Sequence, residues 1–239
     1  MWAAFKMVIT FAGLGIPVGL VLIPWTFLTK KIQPMYRVGK WISWAGIRAA
    51  GIKVEQHGRE NIPDGVAIFV PNHISNLDPP IMVPLIPGTP SIMLKAELLK
   101  IPVLGKAWEM AKFVPVYREG GREAAVRTAR YAAEVIRDGL SMLIFAEGTR
   151  SKTGRLQTFK AGPFHLAQST GAPIVPVAIA GTESMMQKGS SRVYPGIAKV
   201  TFLPPVYPAD YPNRAEMVAE VRRRIISALP DSMKPLEAE

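Results

Sequence analysis

Residues 66–78 read VAIFVPNHISNLD, and this stretch decides the fold predicted for the chain. Its first five residues, ending at Val70, are apolar and short enough to form a buried strand. The serine and asparagine further on favour a turn. Pro79 directly after Asp78 is typical of the first turn of a helix. The stretch therefore predicts strand, turn and helix in succession, with His73 just past the carboxyl end of the strand.

The same alternation continues along the chain. Short apolar runs predict strands over residues 66–70, 91–95, 113–117, 141–146, 173–179 and 200–203. Segments of helical period predict helices over residues 79–86, 121–137, 160–169 and 214–229, the last with Asn213 as its N-cap. Strand–helix alternation predicts an α/β fold with a mixed, largely parallel sheet flanked by helices. Residues 51–239 contain no linker or repeat, so we expect them to form one domain.

The composition limits the chemistry that the chain can perform. The 239 residues include no cysteine, which excludes disulfides, thiolate nucleophiles and cysteine-based metal sites. Three histidines are present, and an unperturbed histidine is the usual side chain that titrates near neutral pH. Their spacing offers no pair suited to metal ligation, so we predict no metal site.

Charge is concentrated at the N-terminus. Residues 1–53 hold seven of the 29 basic residues and none of the 18 acidic ones, whereas the rest of the chain is nearly balanced. A basic flank beside an apolar segment favours an anionic lipid surface over nucleic acid. The positive residues after the apolar segment place the remainder of the chain on the cytoplasmic side of an inner membrane.

The apolar segment itself, residues 7–29, has no charged residue and is long enough to cross a bilayer as a helix. Pro17 and Pro24 are expected to interrupt it. A second, amphipathic helix is expected over residues 30–50, with Trp41, Trp44 and Ile47 on one side. We therefore expect residues 1–50 to form a two-helix membrane anchor. A single span, a signal peptide and a buried core helix are the alternatives.

His73 and Asp78 are the candidate acid–base pair. Side chains five residues apart on one helix point in different directions, so the pair requires the turn that the sequence predicts between them. In that arrangement the carboxylate fixes the imidazole tautomer and the second ring nitrogen acts as a base. The alternatives are a helix cap for Asp78 and an ordinary loop position for His73. No Gly-x-Ser-x-Gly motif supplies a nucleophile, so the proton is expected to come from the substrate.

A candidate anion site follows the apolar run 141–146. Glu147, Gly148, Thr149 and Arg150 provide a flexible backbone, a hydroxyl and a guanidinium that suits phosphate. Because His73 and Glu147 both follow predicted strands, we expect them at the same edge of the sheet.

Taken together, five segments resemble the glycerolipid acyltransferases over about residues 54–205. They are 72–78 (NHISNLD), 95–105 (KAELLKIPVLG), 116–118 (VYR), 145–151 (FAEGTRS) and 173–177 (PIVPV). Three positions depart from the pattern of the family: Ile74 stands where glutamine is common, Tyr117 where aspartate is common, and Ala146 where proline is common. Several motifs in the family's order are far more specific than any one of them.

The resemblance implies an enzyme that transfers an acyl chain from a thioester, acyl-ACP or acyl-CoA, to the 2-hydroxyl of lysophosphatidic acid, without a cofactor. It implies that His73 is the general base, oriented by Asp78, and that no acyl-enzyme forms. Membrane attachment of residues 1–50 would bring the catalytic domain, residues 51–239, to its lipid substrate.

The resemblance also implies the roles of the remaining residues. The phosphate would be bound by Arg150 with Gly148 and Thr149, helped by Lys95 and Arg118, whose alternative role is surface ion pairing. Glu147 would position Arg150 or the glycerol, and Val175 with Pro176 would shape the acyl pocket. Another acceptor, such as glycerol 3-phosphate or another lysophospholipid, remains open, as does a non-catalytic module that binds lipid phosphate.

Overall fold

One mixed sheet forms the centre of the protein, and the computed structural model describes residues 2–117 and 119–236. Seven strands occur in these residues: β1 Ile52–His57, β2 Ile68–Pro71, β3 Ser91–Lys95, β4 Val114–Val116, β5 Met142–Leu143, β6 Ile174–Ala180 and β7 Gly196–Phe202. Their order across the sheet is β1-β7-β6-β2-β5-β3-β4. All neighbours run parallel except β6 and β7, which are antiparallel. The predicted mixed, largely parallel sheet is confirmed.

Helices cover both faces of this sheet. Within the described residues they are α1 Trp2–Thr29, α2 Gln33–Ala49, α3 Asp78–Leu85, α4 Leu104–Met110, α5 Gly121–Arg137, α6 Gly162–Thr170, α7 Thr182–Met185 and α8 Arg214–Ala228. Side chains of β2 alternate between the two faces: Ile68 and Val70 pack with α5, α6 and α8, whereas Phe69 packs with α2 and α3. Burial on both faces explains why the strand reads as a continuous apolar run.

Helix α8 shows how the sequence fixes one of these layers. The Asn213 side chain accepts a hydrogen bond from the Ala215 amide (2.9 Å), which confirms the predicted N-cap. Met217, Val221 and Ile225 recur every four residues and are fully buried. Each such side chain contributes about 1.5–3 kcal/mol of burial free energy. A charged residue at position 221 would therefore detach this helix from the sheet.

The N-terminal residues form two helices, α1 and α2, packed along each other. Helix α1 continues through Pro17 and Pro24, so the expected interruption is wrong: each proline removes one amide donor, but the helix resumes beyond it. An added Cβ at Gly46 of α2 would overlap the ring of Phe11, which shows how closely the two helices approach. Helix α1 is long and apolar enough to cross a membrane.

The single apolar side predicted for the second helix is divided between two environments. Ile47 is fully buried in the core that α2 shares with α3 and the sheet, whereas Trp41 is exposed and Trp44 is partly buried. Since α2 contacts both α1 and α3, its apolar side chains serve two different neighbours.

Two further differences concern the sheet. Strand β1 was not predicted, because its alternating residues IKVEQH offer few apolar positions and it pairs only at the edge with β7. The predicted strand 141–146 pairs only over Met142–Leu143, and the following residues leave the sheet to build the loop that carries Glu147.

Candidate active site

His73 and Asp78 meet at the carboxyl end of β2. The chain turns at Asn76 and Leu77, and Asp78 then begins α3. His73 Nδ1 lies 2.8 Å from Asp78 Oδ2, as the predicted pair requires. The carboxylate is fully buried, and 16% of the histidine side chain is exposed. The turn therefore supplies a contact that residues five apart on one helix could not make.

Asp78 is held by three further hydrogen bonds. Its Oδ2 also accepts from the amides of Ile74 and Ser75, each at 2.8 Å, and its Oδ1 accepts from the Thr182 hydroxyl at 2.7 Å. A carboxylate that faces so many donors acts only as an acceptor, so Nδ1 of His73 carries the hydrogen. The other ring nitrogen, Nε2, is thereby left as the basic atom of the imidazole.

Thr182 was missed by the sequence analysis. It lies 104 residues after Asp78, at the start of α7 and just beyond the carboxyl end of β6. Because β6 neighbours β2 in the sheet, the residues that follow these two strands meet at one edge. Sequence spacing gives no sign of such a contact; only the strand order could have revealed it.

The His73 backbone joins the turn to the loop after β5. Its amide donates to Glu147 Oε1 at 2.6 Å, and its carbonyl oxygen accepts from the Ser151 amide at 2.8 Å. The Phe145 ring stacks on the imidazole with a centroid distance of 4.0 Å. His73 and the candidate anion loop therefore form one connected structure.

Glu147 is buried and accepts three hydrogen bonds. Besides the His73 amide, the amide and the side-chain nitrogen of Gln157 donate to its Oε2, at 3.2 and 2.7 Å. Burial raises the pKa of Glu147, and these hydrogen bonds oppose that shift. Its side chain contacts protein donors on both oxygens, which suits a positioning residue.

Arg150 lines the same cavity as His73. Its Nη1 atom is buried and finds no hydrogen-bond partner among the described residues. A buried guanidinium nitrogen without a partner is costly, and a bound anion would remove that cost. Arg150 therefore adds a positive charge to the cavity that His73 also lines.

Two lysines that the sequence analysis did not select lie beside this loop. Lys188, after α7, donates to the carbonyl oxygen of Arg150, and partial desolvation with the charges of Lys152 and Arg150 lowers its pKa. The Lys160 side chain lies directly over Gly148, where it would meet an added Cβ. Both lysines line the cavity. Positive charge therefore comes from three separate segments.

The other predicted binding residues are placed as follows. Gly148 adopts a positive φ of 70° and its amide donates to the Phe145 carbonyl, so it shapes the turn. Thr149 lines the cavity, and so does Lys95, which is exposed at the end of β3. Arg118 lies outside the described residues.

Val175 and Pro176, predicted to shape the acyl pocket, lie within the sheet, and that role stays a prediction. Both are buried within β6, with helices over both faces of the sheet, and Pro176 is paired with Val70 of β2. Neither is among the residues that line the cavity. Their packing supports the strand that carries His73.

The cavity is about 2060 Å³ and mostly apolar. Its walls include α1 residues such as Phe11, Gly15 and Leu22, residues 98–108, and one side of α5. Ala125 and Ala129 of α5 line this cavity, and their small side chains leave room in it. In the part of the chain that the structure describes, no group of three or more His, Asp or Glu side chains is arranged to hold a metal ion.

Comparison with known proteins assigns this fold and site to a class. A family model described as Acyltransferase matches residues 53–180, which is more than half of the chain and includes His73, Asp78 and Arg150. The chain belongs to this acyltransferase family, and the resemblance found in the sequence is confirmed.

More particularly, the chain is similar to 1-acyl-sn-glycerol-3-phosphate acyltransferases. That of Limnanthes alba is 33% identical over 244 residues, which cover 98% of this chain and 85% of the relative. The alpha enzyme of Homo sapiens is 32% identical over 174 residues, covering 70% and 62%. The crystal structure of the 1-acyl-sn-glycerophosphate (LPA) acyltransferase PlsC from Thermotoga maritima superimposes with a TM-score of 0.82 at 27% identity, covering 95% of this chain and 92% of that one.

Proposed function

We propose that this acyltransferase transfers an acyl chain from a thioester to the 2-hydroxyl of lysophosphatidic acid, giving phosphatidic acid. The observation that carries the proposal is the presence, along one cavity, of an imidazole oriented by Asp78 and of the Arg150 guanidinium, whose Nη1 atom has no hydrogen-bond partner among the described residues. The first suits the acceptor hydroxyl and the second suits the phosphate of the same molecule. The names of the similar enzymes support this acceptor.

In the proposed reaction Nε2 of His73 removes the proton of the 2-hydroxyl as the oxygen attacks the thioester carbonyl. The tetrahedral intermediate collapses, the carbon–sulfur bond breaks, and the leaving thiolate is protonated by the imidazolium. The Asp78 carboxylate stabilises the imidazolium between these steps. The acyl group passes directly to the acceptor, so no acyl-enzyme is required.

The phosphate is proposed to bind against Arg150, with Lys188 and Lys160 nearby. Thr149 and Lys95 line the same cavity and add a hydroxyl and a charge to it, while Arg118 stays a prediction. Glu147 holds the loop by its bonds to His73 and Gln157, which supports the positioning role predicted for it. The acyl chain is proposed to lie along the apolar walls that α1, residues 98–108 and α5 provide.

The exposed surface and the charge of the N-terminal residues support a division of the chain into two parts. We propose that residues 1–50 attach the protein to a membrane, at the cytoplasmic face of the inner membrane, and that residues 51–239 carry the chemistry. The exposed apolar side chains of α1 and the basic charge of residues 1–53 support the attachment. Acyl-ACP and acyl-CoA are both candidate donors.

The test is an assay of the purified chain with lysophosphatidic acid and a chain-length series of acyl-ACP and acyl-CoA donors. His73→Ala should lower kcat by about 10²- to 10⁴-fold and leave vesicle binding unchanged. The matched control is His57→Ala, because His57 is exposed on β1 outside the cavity. Full activity of His73→Ala would refute the base assignment.

A panel of acceptors completes the assay. Faster product formation with glycerol 3-phosphate or another lysophospholipid would correct the acceptor while preserving the mechanism. No product with any acceptor and donor would favour the non-catalytic module instead.

A further inference from the structure

Three large apolar side chains project from the segment between β3 and α4. Leu98, Ile101 and Leu104 are 39%, 38% and 40% exposed, and we name them the apolar rim. Scattered exposed apolar residues are ordinary on a soluble surface. These three, however, occur within seven residues and also border the cavity.

The backbone of this segment is tightly closed. The Leu104 amide donates to the Pro102 carbonyl at 2.7 Å across Val103, which has a positive φ of 66°. This is a γ-turn of the rare, strained type, and for a β-branched residue it is costly. An added Cβ at Gly105 would overlap the Leu99 carbonyl, so the two ends of the loop are in contact. The apolar rim therefore lies on a closely folded loop that is held by its own backbone contacts.

The apolar rim is continuous with the exposed surface of α1. The Val103 side chain lies against Gly19 of α1, so closely that a Cβ there would overlap it. Ile16 and Leu20, on either side of Gly19 along this helix, are exposed. An apolar surface therefore runs from α1 onto the catalytic domain at the cavity.

Charge around the rim also suits a lipid surface. Three lysines are exposed close to the rim: Lys95, Lys100 and Lys106. The exposed acidic residues of the same segment are Glu97 and Glu109, and Glu109 is paired with Lys106 at 3.0 Å. Lysines can extend their charge to anionic headgroups while their stems and neighbouring side chains contact the apolar layer.

We propose that the apolar rim is a second membrane-contacting surface, which inserts into an anionic bilayer beside α1 and opens the cavity directly to lipid. The proposal rests on the membrane attachment of α1 proposed above and extends it to the catalytic domain. It explains why three apolar side chains stay partly exposed at the border of a cavity suited to acyl chains.

The absence of cysteine from the full chain makes the test direct. Single-cysteine variants of the full protein are labelled with an environment-sensitive fluorophore and mixed with phosphatidylglycerol vesicles that contain lipids with a shallow or a deep spin label. The variants are Ile101→Cys in the rim, Ile9→Cys on α1, and Ile197→Cys as the matched control. Ile197 is exposed on β7, four strands from β3 and on the face opposite α2 and α3.

A label at position 101 should lose about half of its emission with the shallow spin label, since an interfacial side chain lies about 5–10 Å below the surface. The label at position 197 should be unaffected. Quenching at position 9 without quenching at position 101 overturns the proposal. No quenching at either position overturns the attachment of α1 as well, and with it the second surface. No substrate is present, so the result does not depend on the acyl-transfer chemistry.

Discussion

Replacing Asp78 by asparagine tests the central feature of the site, because it removes the negative charge and nearly preserves the shape. In one orientation the asparagine oxygen takes the place of Oδ2 and accepts from His73 and from the amides of Ile74 and Ser75. In the other, its NH₂ group would face those donors, which is unfavourable. The two amides therefore hold the asparagine in the orientation that keeps the histidine tautomer.

The loss in rate then comes from charge alone. Two unit charges about 4 Å apart attract by about 4 kcal/mol at an effective dielectric constant of about 20. A charge-assisted hydrogen bond is about twice as strong as a neutral one, so roughly half of the stabilisation of the imidazolium persists. A loss of about 2–4 kcal/mol corresponds to a decrease in kcat of about 30- to 10³-fold. KM should not change, because Asp78 is buried away from substrate.

The assay is kcat at saturating donor and acceptor, together with the melting temperature. The Asp78→Asn variant should remain folded, because only its contact with Thr182 reverses direction, at a cost of about 1 kcal/mol. Asp78→Ala is less informative, since it leaves buried amides without an acceptor and destabilises the turn. A folded Asp78→Asn variant with kcat within about threefold of the wild type would refute the role of the carboxylate charge.

Three further predictions test the surroundings of this pair. Arg150→Ala should raise the KM for lysophosphatidic acid by about 10- to 10²-fold and the thioester KM far less. The control is Arg137→Ala, at an exposed position. Equal effects on the two KM values would show that Arg150 does not bind the phosphate. Thr182→Val should lower the unfolding free energy by about 1–3 kcal/mol and reduce kcat at constant KM. Thr182→Ser keeps the hydroxyl and should restore both quantities. A serine variant as impaired as the valine variant would contradict the role of the hydrogen bond to Asp78. Burial raises the pKa of Glu147, so the folded protein favours the protonated carboxyl. This adds to the free energy of unfolding below about pH 4.3, and the added stability is lost as the pH rises through the raised pKa. Urea unfolding across this range should therefore show the stability of Glu147→Gln increasing relative to the wild type with pH, and parallel pH profiles would be inconsistent with the shift.

The fold was predictable where local signals are strong. Helix α5 has the bounds expected from its period and its glycines, and α8 begins at the predicted cap because Asn213 satisfies an amide directly. Strand β1 and the antiparallel direction of β7 were not predictable in the same way. Both depend on pairing between distant segments, and a short polar edge strand has no strong pattern of its own.

The site shows the same division. The contact of His73 with Asp78 follows from a turn of a few residues, which sequence spacing can indicate. Thr182 and Lys188 reach the site through the order of the strands, which no local pattern specifies. The burial of Val175 also depends on the strand order. Strand β6 lies in the interior of the sheet, so its apolar side chains pack in the core and do not line the cavity.

Helix α1 has a double duty that limits how the protein can be simplified. The same 28-residue helix supplies apolar surface to the outside and side chains such as Phe11 and Leu22 to the cavity. Removing α1 to obtain a water-soluble fragment would also remove one wall of the cavity in which the acyl chain is proposed to bind. A soluble variant therefore has to keep the side chains of α1 that line the cavity and change only those that face outward.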